Sequence, residues 1–343
     1  MKKQLFALCA ALTLTLTACS SGTAGTESSA PAADPSASAG GESYRVAIVQ
    51  PMSHTSLDQI RDTIVEKLDA SGKDIQVTLE NANNDTTALN TILNNCKAEG
   101  VDLVIPIATS TAQSAKTVFE GEDTPIVFAA VSDPTAAGLT GEDCGNITGV
   151  SNNIPADQIV QLIFHFQPDC QKIGFLYTSS EANSVSTIAA AKAYCDQEGI
   201  AYEEATIANL SELQTDAQTL LSKGVDALYT GNDNAIASAM ATYTDVAYAA
   251  GVPVYCGADS MVADGGFATI GVNYVQLGEQ VADLALEILD GADPAQLPYE
   301  TLSDYAKYVN LQAAERFGGS FDPSVYEDYE VLVEADGTSH FGQ

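Results

Sequence analysis

Short polar loops follow six of the apolar runs in the sequence. Their residues are mostly small, hydroxylic, amide or acidic, and several of the loops open a segment with helical spacing. Any one of these loops alone is equally well explained as a helix cap. Because ligands of open parallel sheets bind beyond the carboxyl ends of the strands, six such loops on one rim predict a shared site for a small molecule. The loops are 51–54, 108–113, 131–134, 178–184, 231–234 and 257–260.

The predicted ligand-binding residues come from all six loops. Ser110 and Thr111 stand at the start of a predicted helix, where backbone N–H groups and the helix dipole suit a carboxylate. His54 is near this rim, whereas His165 lies on an apolar helix face and His340 in the C-terminal tail. The full set is Ser53, His54, Thr109, Ser110, Thr111, Ser132, Asp133, Glu181, Asn183, Ser184, Asp233, Asn234 and Asp259.

The sequence lacks the motifs that assemble common catalytic sites. It contains no G-x-S-x-G, G-x-G-x-x-G, G-x-x-x-x-G-K-[ST] or H-E-x-x-H pattern. Its acidic residues are dispersed without calcium-loop spacing, and its cysteines do not have zinc-site spacing. We therefore expect a binding protein that is not an enzyme and that uses no cofactor and no metal.

The charge of the chain is strongly negative. It has 13 basic and 46 acidic residues among 343, for a net charge of −33. Such a surface repels phosphate backbones, which excludes nucleic acid as a partner. Beyond the N-terminal segment five cysteines remain, an odd number that leaves at least one thiol unpaired within the chain. They are Cys96, Cys144, Cys170, Cys195 and Cys256.

The N-terminal segment predicts export and anchoring. Lys2 and Lys3 precede an apolar run that is too short to span a membrane, which is typical of a signal peptide over residues 1–18. Small residues then precede Cys19, which we expect to carry the lipid anchor. Residues 19–43 are rich in Ser, Gly, Ala, Thr and Pro and predict a flexible tether. The expected location is the extracytoplasmic face of the bacterial cell membrane.

Apolar β-rich runs alternate with helix-length amphipathic segments through the rest of the chain. This alternation predicts an α/β fold with parallel sheets. Two stretches repeat in the same order, since 100–107 resembles 224–229 and 124–128 resembles 252–256. The repetition predicts two similar lobes. We expect lobe 1 to cover 44–152 plus about 272–295, lobe 2 to cover 153–271 plus about 296–319, and a tail to cover 320–343.

A set of short strings resembles the substrate-binding lipoproteins of ABC transporters in the tryptophan/tyrosine-type group. The resemblance covers about 44–317. Thr55 stands where that group usually has proline, and Thr135 where it often has valine. The strings are Pro51-x-x-His54 with Leu57-Asp58, Ala108-Thr-Ser-Thr-Ala-Gln113, Phe128-Ala-Ala-Val-Ser-Asp-Pro134, Ala137-Gly-Leu139, Asn146-Ile-Thr-Gly-Val150, Glu181-Ala-Asn-Ser184, Val225-Asp-Ala with Asp233-Asn234, and Ile270-Gly-Val-Asn-Tyr274.

The resemblance implies two Rossmann-like lobes of the type I periplasmic-binding-protein fold, joined by a hinge with the ligand cleft between them. It implies a monomer that captures an amino acid, most often aromatic, by clamshell closure and delivers it to an ABC permease. The ammonium of such a ligand needs an anion, for which Asp233 is the first candidate, followed by Asp133 and Glu181. A ligand-sensing lipoprotein that feeds a signalling partner, or a receptor for another metabolite, is the alternative.

Four aromatic residues end predicted strands: Phe128, Tyr177, Tyr229 and Tyr255. They either line an apolar pocket for the side chain of the ligand or belong to the core.

Overall fold

The computed structural model describes residues 43–302, 305–318 and 328–342. The predicted signal peptide, the lipidation site Cys19 and the tether lie outside the described residues. The strands are β1 (Ser43–Gln50), β2 (Asp74–Asn81), β3 (Leu103–Pro106), β4 (Ile126–Ala129), β5 (Ile147–Ser151), β6 (Lys172–Thr178), β7 (Ala201–Ile207), β8 (Ala227–Thr230), β9 (Val254–Cys256), β10 (Ala268–Gly271), β11 (Glu300–Thr301), β12 (Ala306–Asn310) and β13 (Glu330–Val333).

Helices connect these strands and cover both sheets. None of the helices in the described ranges combines the length and hydrophobicity that a bilayer crossing requires. The helices are α1 (Thr55–Ala70), α2 (Thr86–Glu99), α3 (Thr109–Val118), α4 (Ala156–Phe166), α5 (Ala182–Glu198), α6 (Leu213–Ser222), α7 (Asn234–Ala237), α8 (Met240–Ala249), α9 (Asp259–Ala263), α10 (Tyr274–Leu289) and α11 (Leu311–Arg316).

The strands form two sheets of the α/β type. The first has the order β11-β5-β4-β3-β1-β2, and all of its pairs are parallel. The second has the order β13-β12-β10-β9-β8-β6-β7, in which β10 and β12 form the antiparallel pair. The predicted α/β fold with two sheets dominated by parallel pairing is confirmed.

The inner strands are apolar runs because helices cover both of their faces. Every residue of β3, β4 and β8 is buried, whereas the edge strands β2 and β7 are largely half-exposed. In α1 the buried residues recur at helical spacing, at Leu57, Ile60, Ile64 and Leu68. The hydrophobic cores therefore lie between each sheet and its helices, as the alternating pattern of the sequence requires.

Helix α10 brings the chain back to the first sheet after β10 has joined the second. It packs closely on α1, because Gly278 has no side chain: a Cβ there would lie 2.8 Å from Cβ of Thr63. The chain then adds β11, which pairs with β5. Residues 300–301 thus stay with the first sheet, although the sequence assigned the chain from about 296 to lobe 2.

The C-terminal part of the chain completes the edge of the second sheet. Strand β12 pairs with β10, and β13 pairs in parallel with β12. Part of the predicted tail, 320–343, is therefore a strand. The five cysteines of the folded region are all buried and unpaired, and burial raises the pKa of the Cys96, Cys170 and Cys195 thiols to about 11.

Candidate functional site

Loops at the carboxyl ends of both sheets line a narrow cavity of about 20 Å³, which we call the central cavity. The first sheet contributes the segments after β1, β3, β4 and β5, and the second contributes those after β6, β8, β9 and β10. The lining residues are His54, Ser56, Leu57, Ala108, Thr109, Ala130, Ser132, Asn152, Asn183, Asn232, Asp233, Asn234, Ala237, Ala258, Met261 and Tyr274.

Six of the sequence-predicted site residues line the central cavity: His54, Thr109, Ser132, Asn183, Asp233 and Asn234. A neighbouring cavity of about 160 Å³, the outer cavity, is lined by Ser110, Glu181 and again Asn234, among others. Ser53 is exposed on a separate surface groove with His54. The predicted rim is therefore divided between two adjoining cavities and one groove.

The other four predicted residues do not line either cavity. Thr111 and Ser184 are buried within the first turns of α3 and α5. Asp133 is exposed and accepts a hydrogen bond from the backbone N–H of Ala136. Asp259 is buried behind the cavity wall, next to the lining residue Ala258.

Two alanines at strand ends have unusual backbone conformations. Ala108 follows β3 with φ 71° and ψ 159°, and Ala130 follows β4 with φ 57°. Both line the central cavity. Residues other than glycine rarely adopt positive φ, and the combination at Ala108 is almost confined to glycine. Backbone conformations of this kind cluster at active sites, ligand clamps and switch regions of proteins.

The start of α3 presents unpaired donors to this region. Its N-cap residue Ala108 has no side-chain oxygen, so no side-chain cap bonds the N–H groups of the first turn. By contrast, α2 and α10 are capped by Asp85 and Asn273. An uncapped N-terminus with its positive dipole end is suited to an anion.

Three buried polar atoms of the lining residues have no hydrogen-bond partner among the described residues. They are Nδ1 of His54, Oγ1 of Thr109 and Oδ1 of Asn232. Buried polar atoms in folded proteins are nearly always paired. These three atoms come from both sheets and all belong to residues that line the central cavity.

Asp233 is fully buried and held by three donors from its own lobe. Its carboxylate accepts hydrogen bonds from N of Thr178 at 2.6 Å, Oγ1 of Thr178 at 2.9 Å and N of Ile236 at 2.9 Å. The last of these bonds caps α7. The carboxylate is thereby fixed at the wall of the central cavity.

Glu181, which is half-buried, forms a second acidic group beside Asp233. Its oxygens accept from the backbone N–H groups of Asn234 and Ala235 and from the side-chain amides of Asn183 and Asn234. Burial and the nearby charge of Asp233 raise the pKa of Glu181 to about 7. Burial also lowers the pKa of His54, which therefore remains neutral at neutral pH. Neither cavity is lined by a lysine or arginine of the described residues.

Aromatic side chains contribute less to the cavity than to the core. Phe128, Tyr229 and Tyr255 are fully buried and do not line the central cavity, and Tyr177 is half-buried on β6. Tyr274 is the aromatic lining residue. Small apolar side chains such as Ala237 and Ala258 leave the space that a ligand would occupy.

Sequence reasoning missed several lining residues. Asn232 stands inside a loop that was recognised as polar, whereas Asn152 and Tyr274 lie where the chain crosses between the sheets. Ser56 and Met261 are on helices beyond the loops. Asn232 could have been found from its polar loop, and Asn152 and Tyr274 from their positions next to predicted crossovers, whereas Ser56 and Met261 offered no signal in the sequence.

The comparisons with known proteins agree with this architecture. The model of the ABC transporter substrate binding protein family matches residues 45–336. The chain belongs to this family. Members bind substrates for transporters and are not enzymes, and the two-sheet architecture is the type I periplasmic-binding-protein fold.

Three relatives illustrate the similarity. A tyrosine-binding protein of Clostridioides difficile is 29% identical over 272 residues, which are 77% of this chain and 78% of the relative. The structure of an ABC domain from Streptococcus pneumoniae in complex with L-Trp is 30% identical, with a TM-score of 0.79. A ligand-free, open structure of a substrate binding protein with adhesive properties from Clostridium difficile is 31% identical, with a TM-score of 0.64. Each of these structural comparisons covers 84% of this chain and 99% of the other.

The buried carboxylate of Asp259 generates a prediction about pH. The carboxylate of Asp259 accepts a hydrogen bond from N of Ser260 at 2.7 Å, and burial raises the pKa of Asp259 from 3.8 to about 7. Because this pKa is higher in the folded protein than in the unfolded chain, protonation of Asp259 stabilises the folded state. This contribution to the free energy of unfolding is fully present near pH 4 and is lost as the pH rises through about 7. Asp259→Asn cannot ionise, so we expect it to match the wild type near pH 4 and to be more stable at pH 8.

The expected gain at pH 8 is on the order of 4 kcal/mol, because the shift of the Asp259 pKa from 3.8 to about 7 is about three units and one unit corresponds to about 1.4 kcal/mol. Urea unfolding of the ligand-free protein at both pH values measures it. Asp143→Asn is the matched control, since it removes the same charge from an exposed position. An equal effect of the two variants would attribute the gain to net charge and contradict the prediction.

Proposed function

We propose that the protein is a lipid-anchored receptor of an ABC importer that binds a zwitterionic amino acid in the central cavity, with an aromatic amino acid favoured. The observation that carries this proposal is the cavity itself. It combines an uncapped helix N-terminus with a fixed carboxylate, and its walls contain no lysine or arginine of the described residues. Such walls complement a ligand that brings both charges.

The carboxylate of the ligand would bind at the start of α3. The N–H groups of the first turn have no side-chain cap, and Oγ1 of Thr109 has no partner among the described residues, so both can donate to a ligand. The sequence assigned this role to Ser110 and Thr111. Ser110 lines the outer cavity and Thr111 is buried in the helix, so we assign the side-chain contact to Thr109.

The ammonium of the ligand would bind on the lobe 2 side. Asp233 supplies the countercharge, and Glu181 lies next in the same acidic group. The side-chain N–H of Asn234 donates to Glu181 at 2.7 Å, so the other end of this amide, Oδ1, faces His54. Nε2 of His54 therefore donates to Oδ1 of Asn234, at 3.1 Å. Neutral His54 therefore keeps a lone pair on its unpartnered Nδ1. That atom is a second acceptor for an ammonium.

Similarity to characterised proteins supports the class of ligand. One relative is described as a tyrosine-binding protein, and one structural neighbour contains L-Trp. The four alanines Ala108, Ala130, Ala237 and Ala258 keep the wall of the central cavity free of bulky side chains. Delivery to a permease follows the role of the family.

We expect a thermal-shift screen of the twenty amino acids to identify L-tryptophan or L-tyrosine as a stabilising ligand. At one hundred times the dissociation constant, binding should add about 2.7 kcal/mol to the free energy of unfolding. The protein is first unfolded and refolded to remove any ligand retained during purification. A flat screen with this ligand-free protein would contradict the amino-acid proposal.

We also propose that this conformation is the closed one. The TM-score is 0.79 with the L-Trp complex and 0.64 with the ligand-free, open structure, although the two identities, 30% and 31%, are nearly equal. Three consecutive residues, His54, Thr55 and Ser56, each bond to lobe 2. Their partners are Asn234, Asp264 and Ser260. We call these three contacts the latch.

The latch predicts that closure contributes to affinity. Oγ1 of Thr55 donates to Oδ2 of Asp264 at 2.8 Å, and Thr55→Val removes this donor with little change of shape. One hydrogen bond contributes about 0.5–1.5 kcal/mol, so the dissociation constant for the identified amino acid should rise about 2- to 10-fold. Isothermal titration calorimetry measures it.

The matched control is Thr91→Val. Thr91 is exposed on α2 and donates within its own helix to O of Thr87. It should leave the affinity unchanged. If Thr55→Val binds as tightly as this control, the latch has no role in ligand binding.

Anchoring is proposed from the sequence Leu16-Thr-Ala-Cys19. Cys19→Ala removes the thiol that would carry the lipid, so the variant should leave the membrane fraction or keep its signal peptide. Fractionation with mass spectrometry of the product distinguishes these results. A variant that is cleaved normally and remains equally membrane-bound would contradict the lipid anchor.

A further inference from the structure

A chain of three hydrogen-bonded side chains lies in the cavity wall where the polypeptide crosses between the sheets. Oγ of Ser132 donates to Oδ1 of Asn152 at 3.0 Å, and Nδ2 of Asn152 donates to the hydroxyl of Tyr274 at 3.2 Å. All three residues line the central cavity, and each is less than 5% exposed. The chain links the loop after β4, the end of β5 and the start of α10.

This series of three hydrogen-bonded side chains leaves one hydroxyl proton without an acceptor. The amide of Asn152 has one accepting and one donating side, and a hydroxyl faces each of them. The hydroxyl on the donating side accepts from the amide, and its own proton then points elsewhere. In the observed orientation this hydroxyl belongs to Tyr274. If the amide turned over, it would belong to Ser132, which also lines the cavity.

Neighbouring groups do not accept this proton. The side chain of Asn232 and the hydroxyl of Ser151 approach the chain, but they donate to backbone carbonyls of Asn152 and Ser132. Among the described residues no acceptor bonds the hydroxyl proton of Tyr274. Burial raises the pKa of Tyr274, so the phenol keeps its proton. Buried phenols nearly always donate to a partner.

The sheet places Ser132, at the other end of this hydrogen-bonded chain, near the start of α3. Thr109 follows β3 and Ser132 follows β4, and these strands are neighbours in the first sheet, with a spacing of about 4.8 Å. An anion held at the first turn of α3 is therefore within reach of the side chains that follow β4.

We propose that Tyr274 donates a hydrogen bond to the carboxylate of the ligand, and that Asn152 and Ser132 are positioning residues that orient its hydroxyl. This inference rests on the proposed amino-acid function. It means that the carboxylate is recognised by neutral donors and a helix N-terminus, without an arginine. A ligand that lacks the carboxylate leaves a buried donor unpaired, which lowers its affinity.

Tyr274→Phe tests the donor. We expect it to weaken binding of L-tryptophan or L-tyrosine, whichever binds the wild type more tightly, by about 10- to 100-fold, as for the loss of a hydrogen bond to a charged group. Ser132→Ala lets the amide of Asn152 turn over, so that its Oδ1 accepts the hydroxyl proton of Tyr274, and it should weaken binding about 2- to 10-fold. Tyr243→Phe is the matched control, because its buried hydroxyl has no partner among the described residues and does not line the cavity.

A second ligand, in which the carboxylate of the same amino acid is replaced by a carboxamide, distinguishes a contact with the carboxylate from a purely structural role of Tyr274. The ratio of the two affinities, acid over amide, should fall in Tyr274→Phe, because one partner of the carboxylate has already been lost. A variant that is merely misfolded would weaken both ligands equally and lower the melting temperature. Calorimetry with both ligands and thermal unfolding of each variant provide these measurements.

The outcomes separate the inference from the proposed function. If the wild type binds an amino acid while Tyr274→Phe binds it as tightly as Tyr243→Phe, the carboxylate contact is overturned and the receptor function stands. An unchanged acid-to-amide ratio in Tyr274→Phe also overturns the contact. If the wild type binds none of the twenty amino acids, the proposed function fails and the inference fails with it.

Discussion

Parallel pairing is the constraint on which the site depends. All strands of a parallel sheet end at the same edge, so the loops that follow them must share one rim. Two such sheets with facing rims enclose a cavity whose walls are loop backbone, helix starts and short side chains. The strained backbone at Ala108 and Ala130 lies at the ends of neighbouring strands, where the sheet holds both positions. The rigid sheets therefore determine the geometry, and the loops supply the chemistry.

Charge within the site follows from the same arrangement. Helix starts lie on the rim because each helix follows a strand, which gives lobe 1 a region of positive potential without any cationic side chain. Lobe 2 contributes Asp233 and Glu181, and mutual repulsion with burial raises the pKa of Glu181. A ligand that carries its own positive charge reduces this repulsion. In a chain with a net charge of −33, such a local balance is more informative about the ligand than the overall charge.

Hydrogen bonds between the lobes occupy the same segments as the proposed ligand contacts. His54 bonds to Asn234 and lines the cavity, and Asn232 bonds to the carbonyl of Asn152 in the crossover segment. Ligand binding and closure are thus expected to be coupled, because the same side chains serve both. Asp264 and Asp259, whose pKa values are raised by burial, lie close to these contacts, so protonation is linked to the same interface.

The sequence by itself determined the fold class, the family and the polar loops, because strand–helix alternation, burial and loop composition are local properties of the chain. It placed Asp233 and Asn234 in the loop after a buried strand, and both residues line the central cavity. Only the tertiary structure decided that Thr111 and Ser184 are buried within helices, that Asp133 is exposed, and that Asp259 lies behind the wall. A one-residue step along a helix start turns a side chain by about 100°, which loop composition does not reveal. Asn152 and Tyr274 meet across 122 residues of sequence, and such a contact exists only once both crossovers are folded.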